Sequence, residues 1–216
     1  MCIPIRPTVG DSMRKAKGIL AAVLLTAAAS QLSGQSVAEQ KQGLLGRFDV
    51  NETNILGVVS ELNEDQWAFK PDADSWSISE IMEHIVRNEE WTYGLMSASL
   101  SIQDVSEDNR RRAEMAETQL ESTFRDRAQT FQAPEALVPT GRWSGQAELV
   151  AAFHQHRAPW REFIEKADFD LRSRTAPHPL LGPVDSHQWA VVVVEHGDRH
   201  LEQIKEVMAH DAFPNG

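Results

Sequence analysis

The sequence predicts an all-α protein, and three observations lead to this prediction. Apolar residues recur every three or four positions through most of the chain after residue 36, which is the period of an amphipathic helix. Polar capping patterns precede several of these segments. The alternation of apolar and polar residues that indicates a half-buried strand is not found, and even the valines at 191–194 lie within a segment of helical period.

The first two predicted helices are separated by a loop. The first segment with helical period covers residues 37–62, at the start of the domain. A proline and a cluster of Asp and Ser residues then interrupt it, which predicts a loop over residues 63–75. Ser77, followed three residues later by Glu80, has the pattern of a capping box. We therefore expect the second helix to begin there and to extend to about residue 100.

Two further helices are predicted in the middle of the chain. A segment rich in Glu, Arg and Gln with a thin apolar stripe predicts a helix over about 107–131, and its arginine run at 110–112 is interpreted as a solvated face or a helix start. Residues 143–148 resemble the entry to another helix, which continues to about Lys166. Pro159 lies inside this helix and predicts a kink or a second start.

The last predicted helix follows a segment rich in proline and glycine. Residues 168–186 are interpreted as a structured loop for this reason. Asp185 or Ser186 is the expected N-cap of the final helix, which contains residues 189–208. We find no internal repeat and no glycine-rich phosphate loop, so a single domain over residues 37–216 accounts for the helical part of the chain.

The N-terminus has the pattern of a secretory signal peptide. Basic residues within 14–17 precede a short apolar run, which is followed by small and polar residues. The apolar run is too short to span a bilayer as a helix of the mature protein. We therefore expect residues 1–35 to be removed, with cleavage after Ala29 or near Gln35 and with Met13 as a candidate start. The mature protein would then be periplasmic or secreted.

The cysteine count and the net charge exclude several classes of function. Cys2 is the only cysteine and lies in the leader, so the mature chain would have no disulfide, thiolate ligand, cysteine nucleophile or lipid-anchored cysteine. We expect no stable membrane anchor after cleavage. The full sequence carries a formal net charge of −11, and removal of the basic leader makes the chain more acidic. Because this charge repels a phosphate backbone, we expect no nucleic-acid partner.

The strongest chemical pattern is the pair His196 and His200 in the last predicted helix. A spacing of four residues places both side chains on one helix face about one turn apart, within reach of a single metal ion. Both histidines fall on the apolar stripe, together with Trp189, Val193 and Val207. Because buried imidazoles need polar partners, a divalent cation bound by both is one way to satisfy them.

A third histidine, His84, lies on or beside the apolar face of the second predicted helix. Three neutral imidazoles from two facing helices would form a metal site with at least one coordination position left open. A metal-free alternative, with the three histidines hydrogen-bonded in the core, is also compatible with their burial. Glu195 and Asp198, which flank the histidine pair, are expected to be solvated.

The other five histidines are weaker candidates for metal ligands. Two of them lie two positions apart on a helix and cannot face one point, so we expect the first to be exposed and the second to lie in the core or at a pocket rim. The next two lie in or beside the proline-rich segment and are candidates to line a pocket mouth, and the last is in the C-terminal tail. In chain order they are His154, His156, His178, His187 and His210.

Two segments around the three histidines form longer motifs. The first is Trp76-Ser-Ile-Ser-Glu-Ile-Met-Glu-His84-Ile with a downstream Glu-Glu-Trp91, and the second is Glu195-His196-Gly-Asp-Arg199-His200-Leu-Glu-Gln203-Ile204. These segments resemble the two signature segments of the DinB-like superfamily, which includes the YfiT-type proteins regarded as metal-dependent hydrolases. The loop His178-Pro-Leu-Leu-Gly-Pro183 is similar to the family's segment before its last helix. The resemblance covers about residues 40–210.

The resemblance carries implications for both fold and chemistry. It implies a four-helix bundle with an additional short helix and long crossover loops. It also implies a three-histidine site for a divalent cation, commonly nickel or zinc, formed by His84, His196 and His200. The family includes thiol-dependent transferases and isomerases, alongside many members without known activity. Because small cellular thiols are scarce outside the cytoplasm, the predicted leader argues against thiol transfer in this chain.

Together these observations predict a secreted or periplasmic metal-dependent hydrolase or transferase that acts on a small molecule. Its metal would activate a water or polarise the substrate. Glu80, one turn before His84, is a candidate general base, and Gln203 and Asn88 are candidates to orient a ligand or to hold a water. The main alternative is a non-catalytic bundle that binds a metal or a small ligand. A homodimer is one assembly that we consider.

Overall fold

The computed structural model describes residues 36–102, 107–129 and 131–215. The predicted signal peptide lies outside these ranges, and its removal stays a prediction. Within the described ranges, no helix is both long and apolar enough to cross a membrane.

Six α-helices occur in the described part of the chain. They are α1 (Val37–Val59), α2 (Glu64–Ala68), α3 (Ile78–Ser99), α4 (Glu107–Arg125), α5 (Gln146–Lys166) and α6 (Ser186–Met208). Helices α1 and α3 each pack against both α5 and α6, which gives the bundle its four members, and α4 packs against α6. The predicted all-α bundle is therefore confirmed.

The apolar stripes of the four bundle helices meet in two clusters of buried side chains. Trp160 and Trp189 are central to one cluster, and Ile81, Phe153 and Ile204 belong to the other. All five side chains are fully buried. Burial stabilises such a side chain by about 1.5–3 kcal/mol relative to an exposed one. The faces of α3 and α6 that the periodicity predicted to be buried are thus buried in the interior of the bundle.

Reciprocal caps determine where α3 and α6 begin. The Ser77 hydroxyl accepts a hydrogen bond from the Glu80 N–H at 3.2 Å, and the Glu80 carboxylate accepts one from the Ser77 N–H at 2.7 Å. This confirms the predicted capping box. Asp185 caps α6 by accepting from the Gln188 N–H at 2.8 Å, and the Gln188 side chain accepts from the Asp185 N–H at 2.9 Å. Asp185, rather than its neighbour, is therefore the N-cap.

The structure corrects two of the predicted helix boundaries. Residues 63–75 contain α2 as well as a loop, because Asn63 and Gln66 form a capping box in which the Asn63 side chain accepts from the Gln66 N–H at 3.0 Å. Helix α4 ends at Arg125, short of the predicted end. The packing of the bundle does not depend on these two boundaries. Helix α5 continues through Pro159, which excludes a second start, one of the two outcomes predicted for this proline.

Two strands of a small antiparallel sheet lie within residues 168–186, where the sequence analysis predicted a loop without strands. The indole N–H of Trp189 donates to the Ala176 carbonyl at 3.1 Å and so attaches this sheet to α6. The prediction was wrong because such short, proline-rich strands show no alternation, and one of them pairs across about 70 residues of chain. The strands are β1 (Ser101–Ile102), β2 (Arg174–His178) and β3 (Gly182–Asp185), in the order β1-β2-β3.

A buried ion pair between Glu89 and Arg157 joins α3 to α5 inside the bundle. Both side chains are 1% exposed. The Arg157 Nε–H donates to a Glu89 carboxylate oxygen at 3.2 Å, and the guanidinium lies 4.4 Å from the centre of the Phe153 ring. The Trp160 indole N–H donates to the Glu89 carbonyl at 3.1 Å. The two charges satisfy one another, so removal of either partner leaves the other buried and unpaired.

We predict that Glu89→Gln lowers the free energy of unfolding by about 3–5 kcal/mol, because the Arg157 charge then has no buried counter-ion. The matched variant is Glu90→Gln. Glu90 pairs with Arg142 at the surface, where the two side chains are 41% and 47% exposed, and its loss should cost less than about 1 kcal/mol. Urea denaturation of both variants measures the difference, and equal losses would contradict the assignment.

Candidate metal centre

Helices α3 and α6 bring His84, His196 and His200 to one point. The Nε2 atom of His196 lies 3.1 Å from Nε2 of His84 and 3.1 Å from Nε2 of His200. The candidate ligand atoms all lie within 4.8 Å of one another, and no other group of three His, Cys, Asp or Glu side chains with this property occurs in the described ranges. The structure therefore brings together the three histidines that the sequence analysis selected, in positions close enough to bind a metal ion.

Hydrogen bonds at the far side of two rings determine which nitrogen carries the proton. Nδ1 of His84 lies 2.9 Å from the Leu137 carbonyl oxygen, which can only accept, so His84 is protonated at Nδ1. Nδ1 of His200 lies 2.8 Å from the side-chain oxygen of Gln203 and is protonated for the same reason. Nε2 of both rings is then a bare lone pair. Because His196 can donate its one Nε2 proton to only one of them, the three nitrogens form an electron-rich cluster that suits a cation.

The protein also favours the neutral form of all three imidazoles. Burial lowers the pKa of His84, against the opposing effect of its hydrogen bond to Leu137. Burial lowers the pKa of His200 to about 3, with a further contribution from His84. Burial, reinforced by the neighbouring His200 and His84, holds the pKa of His196 well below its ordinary value. Neutral imidazole is the form that binds a metal, so the three histidines are in the protonation state that a metal ion requires.

The distances fit a transition-metal ion. Two nitrogens bound to one tetrahedral zinc at about 2.0–2.1 Å lie about 3.3 Å apart, close to the 3.1 Å separations observed here. His84 is buried, whereas the residues His196 and His200 are partly exposed. The Trp76 ring lies 4.9 Å from that of His84 and the Phe124 ring lies 6.4 Å from that of His196. Aromatic rings thus shield two of the ligands.

Residues between and beside the two α6 ligands hold this helix in place. Arg199 donates to the carbonyls of Phe124 and Asp126, both at 2.9 Å, and to that of Gln129. These carbonyls lie at and just beyond the end of α4, so Arg199 satisfies groups that the helix end leaves without partners. Arg199, the arginine of the H-x-x-R-H motif, therefore links α4 to α6.

The prediction that Glu195 is solvated is wrong. Its carboxylate is 1% exposed and accepts hydrogen bonds from Arg47 at 2.6 Å and from Arg125 at 2.9 Å and 3.1 Å. Asp198 is partly buried and accepts from the Asn51 side chain at 2.7 Å. Polarity alone suggested solvent exposure, but the partners come from α1 and α4, which are distant in sequence.

Gly197 and Asn51 form a close contact that sequence reasoning missed. A Cβ atom at Gly197 would lie 2.9 Å from the terminal amide atoms of the Asn51 side chain, so a larger residue at this position would displace that side chain. The Asn51 side-chain N–H also donates to the Val194 carbonyl at 3.2 Å. A glycine next to a ligand histidine on a predicted helix was the available signal, because glycine inside a helix often marks a close approach.

The three residues predicted to assist the metal have different surroundings. Gln203 contacts the ligand His200 through the hydrogen bond described above. Asn88 lies one turn beyond His84 on α3 and is buried, and its side-chain oxygen has no hydrogen-bond partner among the described residues. The Glu80 carboxylate caps α3 and forms an ion pair with Lys70 at 3.1 Å. Glu80 is therefore engaged at the start of the helix.

The remaining histidines lie outside the cluster. Four of them have partners nearby: two contact a carboxylate, one contacts a tryptophan ring, and His178 accepts from backbone N–H groups. Burial lowers the pKa of His178 to about 4. The fifth is exposed and packs beside Phe69. The partners in chain order are Glu52 for His154, Trp143 for His156, Leu180 and Leu181 for His178, and Glu117 for His187, with His210 as the exposed fifth.

The lowered histidine pKa values predict an acid-sensitive metal-free protein. The unfolded chain binds protons at these histidines below about pH 6.5, whereas the folded chain binds them only at lower pH, so the free energy of unfolding falls as the pH falls. Between pH 7 and pH 5 we expect the metal-free wild type to lose about 1–2 kcal/mol more than His200→Gln, because that variant lacks one such group. Urea denaturation measures both losses, with His154→Gln as an exposed control. Identical losses in wild type and His200→Gln would contradict the low pKa.

Comparison with known proteins identifies the family of this chain. A family model described as the DinB superfamily matches residues 47–204, a range that includes all three histidines. The uncharacterized protein YuaE of Bacillus subtilis (strain 168) is 23% identical to this chain over 146 residues, which cover 68% of this chain and 85% of YuaE. No solved structure gives a significant match. Because the family match spans most of the helical bundle, the chain belongs to the DinB superfamily.

Proposed function

We propose that this protein is a metal-dependent hydrolase or transferase that acts on a small molecule outside the cytoplasm. The observation that carries the proposal is the convergence of three Nε2 atoms, of which that of His196 lies 3.1 Å from each of the other two. The Nε2 atoms of His84 and His200 are bare lone pairs, because Leu137 and Gln203 hold the protons of these rings at Nδ1. A hydrogen-bonded core without metal would leave at least one of these acceptors without a donor. A cation satisfies all three.

Zinc or nickel is the cation that we propose. Neutral imidazole nitrogen suits both metals, and the leader aside, the chain offers no thiolate that would select a softer one. His84, His196 and His200 would supply three protein ligands, which is the number found in catalytic zinc sites, where further positions are left for water or substrate. When bound, the metal would supply Lewis-acid chemistry.

The protein's own residues support that chemistry in definable ways. Gln203 holds the proton of His200 at Nδ1 and so keeps its Nε2 directed at the cluster. The Trp76 ring covers the buried ligand His84 and excludes water from that side. Asn88, whose buried side-chain oxygen has no partner among the described residues, offers an acceptor one helical turn from His84. The partly exposed side of His196 and His200 is where a small substrate would approach.

The extracytoplasmic location is part of the proposal and is supported by the sequence of the leader. A basic stretch, an apolar run and small residues precede the bundle. In such a compartment, a site made only of imidazole ligands does not depend on reducing conditions. Hydrolysis, or transfer to an acceptor other than a small thiol, is therefore the reaction class that we favour.

We predict that His200→Ala loses bound metal. Wild-type protein purified without an immobilised-metal resin should contain about one equivalent of zinc or nickel, and the variant should contain almost none, because two imidazoles bind far more weakly than three. Elemental analysis measures the occupancy. His154→Ala, which removes an exposed histidine paired with Glu52, is the control and should keep its metal. Full occupancy in His200→Ala would refute the site.

We also predict that an activated ester such as p-nitrophenyl acetate is hydrolysed by the metal-loaded wild type about two orders of magnitude faster than by His200→Ala. The rate should fall on treatment with a chelator and return when zinc or nickel is added back. If the wild type binds metal but hydrolyses the ester no faster than His200→Ala, the non-catalytic metal-binding alternative is favoured.

A further inference from the structure

The connection between α4 and α5 crosses α3 next to His84. We call residues 131–142 of this connection the strap. It contains a single turn of 3-10 helix, Glu135–Leu137, closed by a hydrogen bond from the Leu137 N–H to the Pro134 carbonyl at 2.8 Å. Leu137 is 3% exposed, and its carbonyl accepts the Nδ1 proton of His84. The strap therefore contacts the candidate metal site through one backbone carbonyl.

Glu83, the residue before His84, holds the end of the strap. Its carboxylate accepts hydrogen bonds from three consecutive backbone N–H groups, those of Thr140 at 2.8 Å, Gly141 at 2.9 Å and Arg142 at 3.3 Å. Gly141 has a φ of 74°, a conformation that glycine adopts without strain and that lets successive N–H groups converge on an anion. Glu83 is 4% exposed, so these bonds are protected from water.

Burial raises the pKa of Glu83, but the N–H groups of Thr140, Arg142 and Gly141 more than compensate and leave it below its ordinary value. The carboxylate is thus ionised at neutral pH. An ionised acceptor makes stronger hydrogen bonds than a neutral one.

Arg87 holds the strap at two further points. Its guanidinium donates to the Ala136 carbonyl at 2.8 Å and to the Thr140 hydroxyl at 2.7 Å, and it also pairs with Glu83 at 3.2 Å. Residues 83, 84 and 87 lie within about one turn of α3, so the strap is attached on both sides of the contact between Leu137 and His84. Neither Glu83 nor Arg87 is itself a candidate ligand.

We propose that Glu83 is a positioning residue for the metal site, and this proposal rests on the proposed metal-binding function. Glu83 holds Thr140 and Gly141, the strap then holds the Leu137 carbonyl in place, and that carbonyl keeps the proton of His84 on Nδ1. Nε2 of His84 is thereby directed at His196 as a bare lone pair before any metal arrives. Such outer partners of a ligand histidine commonly contribute about 10- to 100-fold in metal affinity.

Two substitutions that change the net charge in opposite directions distinguish positioning of His84 by the strap from a direct electrostatic effect on the cation. Glu83→Gln replaces one of the two accepting oxygens by an amide NH2 group, which then faces the N–H group of either Thr140 or Gly141, and it removes a negative charge. Arg87→Ala removes the hydrogen bonds to the Ala136 carbonyl and the Thr140 hydroxyl, and it removes a positive charge. Electrostatics alone would weaken cation binding in the first variant and strengthen it in the second. Loosening of the strap weakens binding in both.

The experiment measures zinc affinity at pH 7.5 by competition with a chromophoric chelator for the wild type and three variants. We expect a loss of about 10-fold or more in Glu83→Gln and a smaller loss in Arg87→Ala. Glu89→Gln removes a buried carboxylate of α3 that contacts Arg157 rather than the strap, and it should destabilise the fold while its zinc affinity stays within about threefold of wild type. Unchanged affinity in Glu83→Gln, or opposite changes in the two strap variants, would overturn the proposal.

The proton position on His84 provides a second readout that a loss of stability alone would not move. The ¹⁵N shifts of its ring nitrogens in the metal-free protein should report Nδ1–H in the wild type and in Glu89→Gln, and a mixture of tautomers in Glu83→Gln. An unchanged tautomer in Glu83→Gln would overturn the positioning role. A wild type that binds no zinc would refute the proposed metal site, and the tautomer measurement would then decide the role of Glu83 by itself.

Discussion

The close packing of α3 against α6 is the constraint on which the candidate site depends. It places Nε2 of His84 3.1 Å from Nε2 of His196, although the two residues are 112 positions apart in the chain. Three desolvated imidazoles with too few protons to share disfavour the folded state of the metal-free protein. The apolar interior of the bundle must hold the helices together against this cost. A metal that binds only the folded chain would offset it.

The polar residues around the ligands fasten helices to one another. Arg199 binds the end of α4, Glu195 accepts from α1 and α4 through Arg47 and Arg125, and Asn51 of α1 fits against Gly197. The ligand-bearing segment of α6 is therefore attached on more than one side. Ligand geometry needs this support, because misplacement of a ligand atom by about 1 Å is enough to impair a metal or catalytic site. Stability and chemistry thus rely on the same buried polar contacts.

Much of the fold could be predicted because its signals are local. The capping box of Ser77 and Glu80, the apolar stripe of α6 and the four-residue spacing of His196 and His200 each involve residues within a few turns of one helix. Inward placement of His84 followed from the same periodicity. The two signature segments then indicated the family. The helical elements and the choice of three histidines therefore followed from the order of residues along the chain, and the four-helix bundle was implied by the family resemblance.

The sequence by itself determined which residues share a helix face, because the 3.6-residue period is a property of the local backbone. Only the tertiary structure decided which faces meet and which polar groups are satisfied across the chain. The burial of Glu195, the hairpin of β2 and β3, and the bond from His84 to the Leu137 carbonyl 53 residues away all have this origin. The physical reason is that a polar group needs hydrogen-bond partners, which either water or the protein can supply. Partners that are distant in sequence determine whether the group can be buried.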